Sequence, residues 1–333
     1  MNVARPGTLV RSGAMHVSDP PILLTDVIDD LGTVVKLLAQ EAPYAPLGGW
    51  YNPGADPRAR TRPLWFRDDW VNETIAVPGS EVFLDNPAYI ESAKAYYSAE
   101  IVEPHSVYVN QMMAIPEAGP AHTDNPRFAG RDRTNTPMWL LRAMLWSGLF
   151  DDLSFPQATA IWWLNDVEGG GIRYWPCGPD QPPEEHVGNM ANTALMGDNH
   201  GMFHQVNAIG PFDIGTPRVT PMAQFAPVGS PDGAWVVTDH GEEVYRTPLA
   251  DVRISVLWKA DVYIDADHKA RLAANPLSRD DIAARFNADL AERGIDVRFD
   301  PSGIDDDPDH AAKIAEHYPE ARPVDALPSV FDY

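Results

Sequence analysis

Cysteine is almost absent. Cys177 is the only one in 333 residues, so no disulfide can form within the chain and a reducing compartment fits. Long hydrophobic runs are missing as well: no stretch approaches the roughly 18 apolar residues of a membrane-spanning helix. The opening MNVARPGTLVRSGAMHV holds no apolar run of signal-peptide length. Together these absences lead to the expectation of a cytoplasmic protein. Basic residues are scarce, 25 against 48 acidic, for a net charge of −23. Nucleic acids and anionic membranes both require a basic footprint, so neither is expected as a partner. A cationic or zwitterionic substrate is compatible with the acidic surplus, and so is solubility alone. There is no internal repeat and no low-complexity tract.

What is present points to a soluble, turn-rich globule. Apolar residues make up 44% and charged residues 22%, with 32 prolines and 10 tryptophans. The length allows a large core, and without a clean linker a single elaborated domain spanning 1–333 is expected. Its parts are a helical and looped extension over 1–104, a strand-rich core over 105–262 with an inserted segment at 211–248, and a helical extension over 263–333. Thr25 reads as the cap of a helix reaching Gln40, with Val27, Ile28, Leu31, Val34, Val35 and Leu38 at helical spacing. Residues 41–82 read as loops with short strands. Asn86 and Pro87 start a helix, Pro137 opens another over 136–150, and Ser278 with Asp281 caps a third that Gly294 stops.

Strands are expected at SVYVNQMMAI, ATAIWWL, IRYW, MFHQV and VRISVLWKADVYI, where β-branched and aromatic residues concentrate. Segment 211–248 reads as a long excursion with one hairpin, placed beside the candidate site as a lid or recognition element. Trp162, Trp163 and Trp175 are expected in the core. Glu184, Glu185 and His186 read as a solvated loop, and the acidic tail with DDDPDH as solvated surface.

The stretch GPAHTDNPRF carries the chemistry. His122 and Asp124 stand two apart between chain breakers. In an extended chain such residues point the same way, whereas in a helix they diverge by about 200°. They therefore offer one nitrogen and one oxygen to a common point. A third ligand must come from elsewhere, since two histidines and one carboxylate on one face, with open positions opposite, suit non-haem iron(II). His204 on the strand MFHQV is favoured over His200, which sits in the turn-like GDNHG. On the late strand, Val252, Ile254, Val256 and Trp258 form one apolar face, which leaves Arg253 and Ser255 on the other. A buried guanidinium requires an anion. A dicarboxylate gripped in two-pronged fashion by Arg253, with the Ser255 hydroxyl helping, supplies it.

His-x-Asp, a distant His and then Arg-x-Ser resembles the iron(II)/2-oxoglutarate-dependent dioxygenases. ATAIWWLNDVEGGGIRYWPCGP and NTALMGDNHGMFHQV resemble that family's Gly-Gly turn region and the segment bearing its distal histidine. The likeness runs over residues 105–262. It implies a mainly β, α+β fold: a double-stranded β-helix, or jelly roll, backed by helices. It also implies iron(II) on His122, Asp124 and His204, 2-oxoglutarate on Arg253 and Ser255, and O2 as co-reactant with ascorbate as a stimulant. Tyr108 and Asn110, on one side of the strand before the motif, are candidate linings of the cosubstrate pocket. The family's arginine usually follows soon after the distal histidine, and Arg253 stands much further along. Arg218 is nearer, but two prolines flank it instead of a strand.

The implied reaction is hydroxylation of an unactivated C–H bond, or a related desaturation or cyclisation, on a small-molecule or amino-acid-like substrate, with release of succinate and CO2. Asp124 argues against a halogenase, whose counterpart lacks the carboxylate. The alternatives are a cupin-like metal dioxygenase or isomerase that uses no oxo acid, and a non-catalytic jelly-roll binding module. Helical terminal extensions leave room for a homodimer.

Overall fold

Alternation of apolar residues along four long segments determines the architecture. The computed structural model describes residues 18–47, 60, 64–213 and 215–331. In chain order the strands are β1 (Ile22–Thr25), β2 (Ala45–Pro46), β3 (Trp65–Asn72), β4 (Thr74–Ile75), β5 (Ile101–Met112), β6 (Gln157–Trp163), β7 (Ile172–Tyr174), β8 (Glu184–His186), β9 (Thr193–Gly197), β10 (His204–Val206), β11 (Gln224–Val228), β12 (Ala234–Asp239), β13 (Glu242–Pro248) and β14 (Arg253–Tyr263). Eight of them form one antiparallel sheet in the order β1-β9-β6-β14-β5-β3-β2, with β4 on β3. A second sheet runs β10-β7-β8, and a third β11-β12-β13. The protein is mainly β with helices packed around it.

The middle of the large sheet is buried on both faces: every residue of β6 and β9 is buried, and all of β14 but the half-buried Lys259. On the back, Ile254, Val256 and Trp258 of β14 meet Val107 and Val109 of β5 and Ala158, Ala160 and Trp162 of β6. Helices α1 (Leu31–Gln40), α2 (Glu81–Leu84) and α3 (Pro87–Tyr97) cover them. Leu37, Leu38, Phe83 and Tyr89 press into this core, and the Tyr89 and Trp258 rings lie 5.5 Å apart. Asn86 caps α3 through the Ala88 amide, with Pro87 in the first turn as the sequence indicates. On the front, Tyr108, Ile161, Trp163, Leu195 and Leu257 meet Ile172 and Tyr174 of the small sheet. The space between those two sheets holds the candidate site.

A second core forms from α4 (Met138–Ser147), α5 (Ala266–Ala274), α6 (Arg279–Glu292) and α7 (Pro308–His317). Ser278 and Asp281 form the expected capping box of α6. The stacked rings of Trp146 and Phe203, 5.3 Å apart, tie α4 to the residue just before His204.

The structure corrects several expectations. Thr25 ends a strand, and α1 starts later with Asp30 as its cap, accepting from the Gly32 amide. The helical spacing of Val27 and Ile28 belongs to a loop that packs on the same core. Within 41–82, Trp65–Asn72 is a full strand of the large sheet; 48–59 and 61–63 lie outside the described residues. Glu184–His186 is a strand, β8, paired with β7. The acidic tail is only partly solvated: Ile304 and Asp305 are buried, and Arg279 pairs with Asp305 at 2.9 Å.

The largest correction concerns 211–248. Its three strands lie behind the large sheet, away from the candidate site. Phe225, Trp235 and Val237 are fully buried in the back core, Phe225 stacks on Phe66 at 5.2 Å, and Tyr44 pairs with Phe225. Just before the segment, Ile209 bridges Ile115 and Gly169 beside the small sheet.

Candidate metal centre

His122 reaches the centre by a single antiparallel bridge. The His122 amide donates to the His204 carbonyl at 3.0 Å and the His204 amide returns the bond at 2.9 Å. The chain then stays extended, which carries Asp124 to the same side as His122. The Asp124 amide donates to Asn199 O at 2.8 Å, anchoring the loop to the turn before β10. The result is a cluster in which ligand atoms of His122, Asp124 and His204 all lie within 4.8 Å of one another. The two imidazole centroids are 4.4 Å apart, and His204 Nε2 is 4.0 Å from Asp124 Oδ1. His122 Nδ1 lies 2.9 Å from Pro120 O and His204 Nδ1 3.3 Å from Met202 O. A carbonyl acceptor at each Nδ1 favours the tautomer whose Nε2 is free for a metal.

The electrostatics favour the ligand forms. Burial raises the Asp124 carboxyl, but Lys259 foremost, then His204, His200 and His122, outweigh it and hold it well below the usual carboxylate range. Burial, reinforced by His122, draws His204 down to about 3, so its imidazole is neutral at physiological pH. A neutral His204 imidazole beside that of His122, with a committed carboxylate, fits a divalent cation that takes nitrogen and oxygen donors.

Lys259 escapes a reading confined to the His-x-Asp motif. Its Nζ donates to Asp124 Oδ2 at 2.8 Å, while Oδ1 faces His204. Asp124 pushes the ammonium up against the pull of burial, leaving it above its ordinary value. The signal was available: Arg253, Ser255, Leu257 and Lys259 alternate along β14 and share its front face. Two residues on, Asp261 grips Arg127 at 2.9 Å and 3.0 Å, a second tie between β14 and the ligand loop.

Arg253 lies on the same face, 2% exposed. Its Nε donates to Gly170 O at 2.5 Å, and one terminal nitrogen lies 3.2 Å from Ser255 Oγ and 3.5 Å from Met112 Sδ. Among the described residues no carboxylate pairs with it, and burial alone draws it down to about 9. Arg218 is exposed, outside any strand.

The register sets Asn110, Ser255 and Trp163 side by side in one row across β5, β14 and β6. Asn110 Oδ1 and Trp163 Nε1 are buried there with no hydrogen-bond partner, and the Arg253 guanidinium lies 5.8 Å from the Trp163 ring. A guanidinium with no carboxylate partner among the described residues, a hydroxyl and an indole N–H on one face suit a carboxylate. Trp163 is in the core as expected, 1% exposed, and packs in the front cluster with Tyr108 and Leu257. Tyr108 lies one row nearer Lys259, opposite Leu257, with the Arg67 guanidinium 3.6 Å above its ring. Gly170 permits this arrangement. Its φ is +65°, and a Cβ there would meet Val167 Cγ2 at 2.6 Å and Arg253 Cδ at 3.2 Å.

His200 is buried and lies near Asp124 without joining the cluster. Burial first, and Lys259 next, draw it down to about 4.

No protein-family model matches the chain, and no curated protein does. Among solved structures, the chain is similar to an oxidoreductase of the 2OG-Fe(II) oxygenase family from Burkholderia pseudomallei, with 12% identity, a TM-score of 0.40, and coverage of 75% of this chain and 87% of that one. It is also similar to a prolyl hydroxylase from Trichoplax adhaerens solved with a peptide fragment of the hypoxia inducible factor oxygen degradation domain (11%, TM-score 0.38, 76% and 87%). A third is HygX from Streptomyces hygroscopicus, solved with nickel, 2-oxoglutarate and hygromycin B (8%, TM-score 0.37, 73% and 83%). Similarities of this size assign no chemistry to the site, which stands on its own geometry.

Proposed function

We propose that this chain is an iron(II)- and 2-oxoglutarate-dependent oxygenase acting on a small molecule. One observation carries the reading: a two-histidine, one-carboxylate cluster shares a sheet interior with a buried arginine that has no carboxylate partner among the described residues. Neither half suffices alone. A His-Asp-His cluster serves many metals and reactions. A buried guanidinium without a counter-charge is costly, and here a dicarboxylate is the partner that offsets the cost. We read the two facing sheets as a double-stranded β-helix, with the metal between them.

In this reading His122, Asp124 and His204 would hold iron(II). Arg253 and Ser255, flanked by Trp163 and Asn110, take the far carboxylate of 2-oxoglutarate and direct its oxo-acid end to the metal. Together, when bound, the metal and cosubstrate supply the oxidising power: O2 is consumed, the oxo acid is converted to succinate and CO2, and a C–H bond of the substrate is oxidised. The protein supplies orientation and a dry enclosure. Tyr108, Ile161, Leu195 and Leu257 form the apolar floor that excludes water between the two ends. Lys259 holds one oxygen of Asp124, so that the other faces the metal.

Anaerobic titration with iron(II) and then 2-oxoglutarate tests the reading. The expected result is a visible charge-transfer band that needs both components, and O2-dependent release of succinate. His122→Ala, folded by circular dichroism, loses the band and succinate release. Full succinate-independent turnover with unimpaired Arg253→Met would instead favour a metal oxygenase or isomerase that uses no oxo acid. Failure to retain any transition metal would leave only a binding module.

A further inference from the structure

Unpartnered buried polar atoms gather at two places around the metal centre. In one, the row of Ser255, the Trp163 indole N–H is accounted for by the distal carboxylate of the cosubstrate, whereas Asn110 Oδ1, an acceptor, is not. The other lies at the opposite end of β14, around Lys259, and the proposed oxygenase reaction makes no use of it. Thr159 faces Lys259 across β6 and is fully buried, with Oγ1 unbonded. Its front-face orientation follows from the alternation with Ile161 and Trp163. Asn199, 4% exposed, supplies the carbonyl that anchors Asp124, yet its own Nδ2 has no partner. Neither ring nitrogen of His200 is bonded. The Asp198 carboxylate, 3.9 Å from Nδ1, lies beyond hydrogen-bond distance. His200 is close enough to Lys259 and Asp124 for both charges to act on it.

A hydroxyl, an amide N–H2 and an imidazole left unpaired in a buried place each carry a desolvation cost that a polar ligand removes. Charge indicates which kind of ligand. In the metal-free protein Asp124 neutralises Lys259. When the metal is held, the same carboxylate serves two cations, and the ammonium is left short of negative charge. The surrounding free groups are chiefly donors.

We propose that Lys259, Thr159, Asn199 and His200 form a second anion subsite that takes a carboxylate of the primary substrate. The substrate class is therefore a carboxylic acid, such as an amino or hydroxy acid, whose oxidised carbon lies a short distance from that carboxylate. This rests on the metal-dependent reading of the same site. The acidic surface of the molecule does not oppose it, because a buried subsite is shielded from distant charges by intervening protein and salt.

The test uses cobalt(II)-loaded full-length protein with 2-oxoglutarate bound, and acetate as probe against its neutral isostere acetamide. Acetate is expected to shift the cobalt visible bands saturably, and acetamide to bind at least about tenfold more weakly. Thr159→Val, which keeps the shape of the side chain, and His200→Phe are each expected to weaken acetate several-fold while cobalt(II) and 2-oxoglutarate still bind. Equal responses to acetate and acetamide, no response, or unchanged acetate affinity in both variants would overturn the proposal. Unchanged affinity would mean acetate binding on the metal itself. Should His200→Phe fail to fold, Thr159→Val alone decides. If the wild type develops no cobalt spectrum at all, the metal reading fails and this subsite falls with it; an intact spectrum indifferent to acetate removes the subsite only.

Discussion

Arg253 is the residue on which the choice of cosubstrate turns. It is buried beside Ser255 with no anion, and its bond to Gly170 O is one neutral contact for a charged group. Replacing it by Met, of similar length and no charge, removes both the cost and the bond. Arg253→Met is therefore expected to change the stability of the metal-free protein by no more than about 1 kcal/mol. Wild type should gain about 2.7 kcal/mol from 2-oxoglutarate at a hundred times its Kd, and the variant should gain nothing. Thermal melts with and without the oxo acid read both effects, and a variant still stabilised by 2-oxoglutarate would remove Arg253 from the role.

The histidines make a separate claim, about pH. His204 and His200 are drawn down to about 3 and about 4 from 6.5, chiefly by burial. Between about pH 4 and 6.5 the unfolded chain binds protons that the folded chain refuses, so stability falls as pH falls through that window. The slope is up to about 1.4 kcal/mol per pH unit for each histidine. Asp124, whose folded carboxyl is depressed, adds its loss only below its ordinary 3.8. Urea midpoints of metal-free protein from pH 7 to 4.5 check this. A flat profile would contradict it, and His200→Phe should shallow the slope.

At the level of elements, β10 is short, only His204–Val206, and does not hold itself in place. Gln205, fully buried, holds it. Its Nε2 donates to Gly119 O and Leu327 O, both at 2.8 Å, and its Oε1 accepts from the Leu327 amide at 2.9 Å. One side chain thus ties the strand of His204 to the segment leading into His122 and to the C-terminal segment. That segment is itself fastened where Trp175 Nε1 donates to Val324 O at 2.8 Å and the Val330 amide to Ala118 O at 2.9 Å. Gln205→Leu removes the partner of the buried Gly119 carbonyl and of two half-buried Leu327 backbone groups. The expected loss is about 2–4 kcal/mol in stability and about 10- to 100-fold in cobalt(II) affinity, because an outer contact that orients ligands is gone. Isothermal titration of refolded variant measures it. Affinity equal to wild type would show that the bridge of His122 to His204 orients the ligands unaided.

On the scale of the whole molecule, structure behind the large sheet supports chemistry in front of it. The segment 211–248, expected as a lid, presses Phe225, Trp235 and Val237 into the back core. Trp235→Ala is expected to cost about 3–5 kcal/mol and, in the folded fraction, to leave cobalt(II) affinity unchanged. Denaturant unfolding paired with a cobalt titration separates these. A change in metal binding larger than the unfolded fraction explains would place the segment at the site after all.

The sequence alone determined β5, β6 and β14 of the large sheet and β7 and β10 of the small one, since β-branched and aromatic enrichment is a local property that survives any arrangement of neighbours. It also determined that His122 and Asp124 share a direction, because two residues in an extended chain always do, and that Arg253 and Ser255 oppose the apolar face of β14. Only the tertiary structure decided that His204 rather than His200 joins the cluster, that Lys259 grips Asp124, that Arg253 finds no carboxylate, and which face of the sheet the 211–248 strands cover. An apolar stripe states that a face is buried but not against what. Partners separated by scores of residues meet only when the sheets close, and the balance of charge in the space between them exists only then.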